Sequence, residues 1–188
     1  MFSRHEACYH ANSCGVTPVV AGCRTPLNAD PLGRRNDLRV DTQGSCLCGA
    51  VRYRFTGEPL AFYQCHCTDC QRQTGSAFGL SMIAKREDLR TLQGEPARFR
   101  ISMHDGRVKC GRFCADCAAR LWGEPVKFPQ LVVLRPGTFD APLARPPFGD
   151  IWTRSACPWV AFTNGPRFEG QPEDPLALVR AWQGQTQT

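Results

Sequence analysis

Apolar and polar residues alternate strictly over Val51-Arg52-Tyr53-Arg54-Phe55, placing Val51, Tyr53 and Phe55 on one face of an extended chain and the two arginines on the other. That two-residue period predicts a half-buried β-strand. Ala97-Arg98-Phe99-Arg100-Ile101 repeats it, and Asp105-Gly106, a hairpin-type dipeptide, leads into another strand over Val108 to Phe113. Leu60 to Tyr63 and Leu131 to Leu134 are short apolar runs, the second closed by a turn at Pro136-Gly137. Trp152 and Trp159, at strand-like spacing, read as core. Only Leu176 to Trp182, with Asp174 as N-cap and Pro175 at the first helical position, has a helical pattern. The expected fold is mainly β, with a short C-terminal helix.

Residues 1–40 differ in character, mixing Gly, Pro, Asn and Asp with only short apolar pieces such as Val19-Val20. They read as a flexible extension, followed by a metal-binding domain over 41–175 and a helix and tail over 176–188. With 188 residues, 42% hydrophobic and 21% charged, the chain has enough apolar material for one well-filled domain. The opening residues carry charge early, and no stretch approaches membrane-spanning length, so a soluble cytoplasmic protein is expected. In a reducing compartment the 12 cysteines point to metal rather than disulfides, because several fall in tight CxC and CxxC pairs.

The densest of these is Cys65-His66-Cys67-Thr68-Asp69-Cys70. In an extended segment Cys65 and Cys67 project to the same side, and a tight turn through Thr68 and Asp69 brings Cys70 round to them. His66 then points to the opposite face. Cys46 and Cys48, flanked by glycines, form a second pair, and Cys114 and Cys117 end a strand as zinc knuckles do. Seven thiols divide most simply into a closed set of four, Cys46, Cys48, Cys114 and Cys117, and an open set of three, Cys65, Cys67 and Cys70. The closed set would staple the fold around one Zn2+, while the open set would hold a second with a vacant position, the arrangement of zinc that does chemistry. Cys110, His66 or His104 would close the second site if one of them joined it. Cys8, Cys14 and Cys23, with His5 and His10, lack compact pairing.

The formal charge of +6 changes this picture little. Seven thiolates and two zinc ions add −7 and +4, which leaves about +3. The basic residues are scattered singly, without the clustered patch of a nucleic-acid surface, so no nucleic-acid partner is expected. A mild positive field favours a small anionic ligand.

The ordered segments GSCLCGAVRYRF, CHCTDCQRQTGSAFG, FCADC, PGTFD and IWTRSACPW, spanning about residues 42 to 175, resemble those of the glutathione-dependent formaldehyde-activating enzymes, a group that also contains centromere protein V. The resemblance implies a zinc-stapled, tent-like fold of short antiparallel strands. It also implies structural zinc at Cys46, Cys48, Cys114 and Cys117 and catalytic zinc at Cys65, Cys67 and Cys70, in agreement with the partition by spacing. The activity implied is formation of S-hydroxymethylglutathione from glutathione and formaldehyde, or of a related thiol–aldehyde adduct, formally a carbon–sulfur lyase run backwards. Arg72, beside the trio, is the candidate contact for a glutathione carboxylate. Gln71 stands where the family often has Arg, and Ala118 where Gly usually follows the last cysteine. Cys110 and Cys157 fall outside the pattern and read as small buried residues. The alternative from a different class is a non-catalytic module with two structural zinc sites, serving protein or nucleic-acid interaction.

Overall fold

A computed structural model describes residues 39 to 184 except positions 104, 105 and 175. The expectations placed on residues 1–38, with His5, Cys8, His10, Cys14 and Cys23, and on His104, Asp105 and Pro175 lie outside the described residues. In chain order the elements are β1 (Val40–Ser45), β2 (Arg52–Gly57), β3 (Ala61–Cys65), α1 (Thr68–Thr74), β4 (Gly79–Lys85), β5 (Leu89–Gln93), β6 (Ala97–Ser102), β7 (Val108–Phe113), β8 (Arg120–Glu124), β9 (Leu131–Leu134), β10 (Asp150–Ile151), β11 (Arg167–Phe168) and α2 (Ala177–Gly184). The fold is mainly β, as the alternation requires. β1, β2 and β5 form a three-stranded sheet in the order β1-β2-β5, and the other eight strands form a second in the order β11-β10-β3-β4-β9-β8-β7-β6.

Most pairings are antiparallel, but β10 runs parallel to both β3 and β11. A parallel neighbour requires a long crossover, and here it is the chain between β9 and β10 that returns to the β3 edge. Residues around 150 are thereby carried to the cysteine-rich end of β3.

The side chains of β2 follow their period: Tyr53 and Phe55 are fully buried, while Arg54 is exposed and pairs with Asp41 of β1 through contacts of 2.8 and 2.6 Å. Tyr53 meets Trp122 of β8 edge to face at 5.5 Å, so aromatic packing joins the two sheets. Val132 and Leu134 of β9 are fully buried beside Met82 of β4 and Leu121 of β8. In β6 the alternation buries less, with Phe99 half-buried and Ile101 exposed, because β6 is the outermost strand of its sheet.

The chain departs from expectation after Cys67. Instead of a tight turn it forms α1, with Cys67 as the N-cap: its sulfur accepts a hydrogen bond from the Cys70 N–H at 3.3 Å. Gly75 closes this helix with φ 63°, a left-handed conformation that glycine adopts without strain. α2 begins at Ala177, slightly later than expected, with the Asp174 carboxylate accepting from the Leu176 N–H at 2.9 Å just ahead of it, and it buries Leu178 and Trp182. Of the two tryptophans read as core, Trp152 is half-buried at a cavity and Trp159 is 76% exposed, because the segment carrying them is loop and short 3-10 turn rather than strand. Among the described residues no helix is long and apolar enough to cross a membrane.

Trp182 is 3% exposed and stands 6.3 Å from the Phe62 ring of β3, which docks α2 on the sheet. Trp182→Ala should therefore destabilise the domain by about 3–5 kcal/mol, whereas Trp159→Ala should change stability by no more than about 0.5 kcal/mol. Urea unfolding of the two variants checks the contrast, and equal losses would contradict this placement of α2.

Candidate functional site

The turn between β1 and β2 carries Cys46 and Cys48. Hydrogen bonds from the Cys46 N–H to the Val51 carbonyl, 3.0 Å, and from the Gly49 N–H to the Cys46 carbonyl, 3.1 Å, fold it tightly. The Val51 N–H then points back at the Cys46 sulfur, 3.2 Å away. Cys114 and Cys117 occupy the turn between β7 and β8, where the Ala118 N–H donates to the Cys114 carbonyl at 2.9 Å. Ala118 has φ 59°, which explains why glycine suits this position: the left-handed region costs an alanine roughly 1–2 kcal/mol. Cys48 and Cys114, 66 residues apart in sequence, bring their sulfurs to 3.8 Å, and Cys46 and Cys48 to 3.5 Å. Ligand sulfurs on a tetrahedral zinc with bonds of roughly 2.3 Å lie roughly 3.8 Å apart. The four thiols, all within 4.8 Å of one another, fit such an ion.

Cys65 ends β3, Cys67 caps α1 and Cys70 lies in its first turn; all three are buried, with their sulfurs within 4.8 Å of one another. Among the described residues no other cysteine, histidine or carboxylate joins them. Cys110 is buried and faces the same cavity, where its sulfur accepts a hydrogen bond from Arg100 at 3.6 Å, but it stands outside the trio. Cys157, read as buried, is half-buried in a loop.

His66 projects away from the trio. Its ring is fully buried, with Nε2 2.9 Å from Asp150 Oδ1, and it meets Phe78 and Phe162 edge to face at 5.6 and 5.4 Å. Asp150 Oδ2 accepts from the Thr163 N–H and hydroxyl at 2.8 and 2.6 Å. The His66 carbonyl accepts from Gln71 Nε2 at 2.8 Å and from the Ser155 hydroxyl at 2.9 Å, while the same Gln71 amide donates to the Ser155 carbonyl. These bonds fasten the Cys65–Cys67 turn to the loop after β10. Gln71 is a clamp here, its one amide nitrogen donating to two carbonyls.

A cavity of about 210 Å³ opens over the trio, lined also by Tyr63, Lys109 and Arg135. Lys109 Nζ lies 3.7 Å from the Cys70 sulfur and 2.8 Å from Gln73 Oε1, and Arg135 is held by Ser81 Oγ at 2.7 Å and the Leu80 carbonyl at 3.0 Å. Arg120 lies behind them over the Phe99 ring, with two of its buried nitrogens lacking a protein partner. Burial, then the charge of Arg135, lowers Arg120 to about 10; burial also lowers Lys109, against the pull of Cys70. Hydrogen bonds from Cys65 and Cys67, helped by Lys109 and Arg135, hold Cys70 well below the usual thiol range, while hydrogen bonding with Cys67 and Cys70, then burial, pushes Cys65 up. A metal ion would take all three sulfurs as thiolates.

A second cavity, about 320 Å³, shares Cys67, Arg107 and Trp152 with the first. Arg72 is exposed on α1 and lines neither cavity; the cations that do are Arg107, Lys109, Arg135 and Arg154. None of these four was singled out as a site residue from the sequence, because each reaches the trio through strand pairing or a loop far from it in the chain.

The structure therefore defines a mainly β protein with two cysteine clusters able to hold metal ions, one closed and one facing a cation-lined cavity. The family model for glutathione-dependent formaldehyde-activating enzymes matches residues 41–155, and the chain belongs to that family. A Halomonas elongata protein named for the same family is 28% identical over 143 residues, covering 72% of this chain and 91% of the relative. A Rhodobacter sphaeroides protein of known crystal structure is similar at 20% identity, with a TM-score of 0.44, over 55% of this chain and 92% of the other.

The two clusters should respond differently to substitution. Cys117→Ala removes a sulfur from the set that ties distant turns, and metal binding worth about 10–16 kcal/mol rivals a domain's total stability of roughly 5–15 kcal/mol, so this variant should be unfolded or insoluble. Cys67→Ala should stay folded. Circular dichroism and thermal melting check this, and equal damage from both would make the trio structural.

Proposed function

We propose that this chain joins glutathione to formaldehyde, giving S-hydroxymethylglutathione, a carbon–sulfur lyase reaction in its synthetic direction, with one zinc ion in each cysteine cluster. The observation that carries this reading is the buried trio, without a further protein ligand among the described residues, facing a cavity lined by Lys109 and Arg135. Zinc at Cys65, Cys67 and Cys70 would supply Lewis acidity and room for one further ligand. Zinc at Cys46, Cys48, Cys114 and Cys117 would be structural.

Three thiolates surround that position with negative charge, which works against an incoming anion. Lys109, Arg120 and Arg135 offset it. The cations also favour the ionised form of a thiol entering the cavity, since an opposite charge close by stabilises the thiolate. Its sulfur adds to the carbonyl carbon, the new S–C bond forming as the carbonyl π pair moves onto oxygen, which takes a proton from water. Lys109 and Arg135 offset the negative charge that develops on that oxygen. Arg72, on the same helix as Cys70, adds to the positive field around the site. His66 takes no part in proton transfer in this reading, because its ring is buried against Asp150 on the far side of the turn.

Exchange between labelled formaldehyde, glutathione and their adduct can be followed by NMR at equilibrium. The zinc-loaded protein should accelerate it, and Lys109→Met, with its zinc content retained, should lose on the order of a hundredfold of that acceleration. Unaltered exchange in the presence of loaded wild-type protein would contradict the proposal and favour the non-catalytic module.

A further inference from the structure

Lys109 enters the trio's cavity from β7 and is met by two atoms of α1, Cys70 Sγ at 3.7 Å and Gln73 Oε1 at 2.8 Å. Cys70 and Gln73 are three residues apart, so they share one face of the helix, and the ammonium lies against that face. An ammonium carries three N–H donors and no acceptor. One donor is taken by the amide oxygen and one by the sulfur, which leaves the third for the cavity that Lys109 lines. Gln73 is not among the lining residues; it stands behind the lysine.

The kind of atom that holds a cation differs between the surface and the cavity. On the surface, arginines meet carboxylates, Arg52 with Asp140 at 2.7 Å and Arg54 with Asp41 at 2.6 Å. At the cavity, Lys109 is held by the neutral oxygen of Gln73, and Arg135 by Ser81 Oγ and the Leu80 carbonyl. Among the described residues Glu124 is the one carboxylate lining that cavity, and it is occupied by Arg86 at 3.1 Å, Arg112 at 3.0 Å and Arg98 at 3.5 Å. A neutral oxygen orients a cation without cancelling its charge, whereas a carboxylate in the same place does both. Lys109 therefore keeps its charge for what enters the cavity.

We infer that Gln73 is a positioning residue for the proposed addition, holding the Lys109 ammonium over the trio's cavity while leaving its charge uncancelled. The inference rests on the reading that Lys109 offsets the charge developing on the carbonyl oxygen, and it adds the residue that makes the lysine fit for that role. A lysine ammonium sits on a flexible four-carbon stem, so without a fixed acceptor it swings among orientations. Stabilisation of a developing charge is largest when the donor is already in place and does not have to reorganise. Glutamate at position 73 has the length of glutamine and reaches the same ammonium, but as an ion pair, which keeps the orientation and cancels the charge. Methionine keeps the bulk and removes the acceptor. The two substitutions separate orientation from charge.

The test reads the ammonium and the reaction separately. The chain has only three lysines, and the other two, Lys85 and Lys127, are exposed. Nitrogen-15 spectra of the side-chain ammonium groups, taken on the full-length zinc-loaded protein, should show one slowly exchanging signal. That signal should be absent in Lys109→Met, lost or broadened in Gln73→Met, and kept in Gln73→Glu. In formaldehyde–glutathione exchange, with zinc content retained, Gln73→Met should lose about tenfold of the acceleration and Gln73→Glu on the order of a hundredfold, as Lys109→Met does. Gln73→Met added to Lys109→Met should lose nothing further, because the residue acts through the lysine. An ammonium signal unaltered by Gln73→Met, wild-type exchange in Gln73→Glu, additive losses in the double variant, or zinc lost on substitution at 73 each overturns the inference and leaves the thiol–formaldehyde reading standing. No acceleration by loaded wild type overturns that reading and the positioning role with it, whatever the ammonium spectrum shows.

Discussion

Crowding of thiols is the constraint on which the rest depends. Seven cysteine sulfurs sit in two groups within 4.8 Å, a spacing at which thiolates repel one another strongly unless a cation lies among them. The four-thiol group joins the β1–β2 turn of the small sheet to the β7–β8 turn of the large one, so its metal would act as a cross-link between sheets. Tyr53 against Trp122 marks the same junction in apolar terms. A domain of this size, rich in short strands, gains more from such a staple than from any single packed side chain.

The trio is held by a different device. Instead of closing around a fourth sulfur, it is braced from behind by the buried His66–Asp150 pair and by the bonds of Gln71 and Ser155 to the His66 carbonyl. Asp150 reaches that position because β10 lies parallel to β3, in register Asp150 with Gln64 and Ile151 with Cys65. One face of the CHC segment is thus committed to structure. The other is left to the cavity and its cations, so neutralisation of the thiolates falls partly to Lys109, Arg120 and Arg135 rather than to ligands.

Much of this was legible in the sequence, for reasons that are local. The alternation in β2 and the paired cysteines are short-range signals, and ligand spacing alone divided four from three. The helix α1 was not legible, since a cysteine rarely serves as N-cap and Cys67 also belongs to a cluster able to hold a metal. The parallel strand β10 is two residues long and carries no periodicity. Lys109 and Arg135 look like ordinary strand charges until β7 and the end of β9 are brought over α1, and Trp152 becomes a cavity wall only through its left-handed backbone. Trp159 misled for the reverse reason, because an aromatic residue in a loop can remain exposed without partners on a strand.

The central claim is that one metal holds the fold and the other is offered to a ligand. Graded chelation of the zinc-loaded protein, with metal counted and far-ultraviolet circular dichroism recorded at each step, tests it most directly. The account predicts that about one ion per chain leaves first with the β-signal intact, and that the second leaves only as the signal collapses. Simultaneous loss of both ions, or collapse on removal of the first, would contradict it.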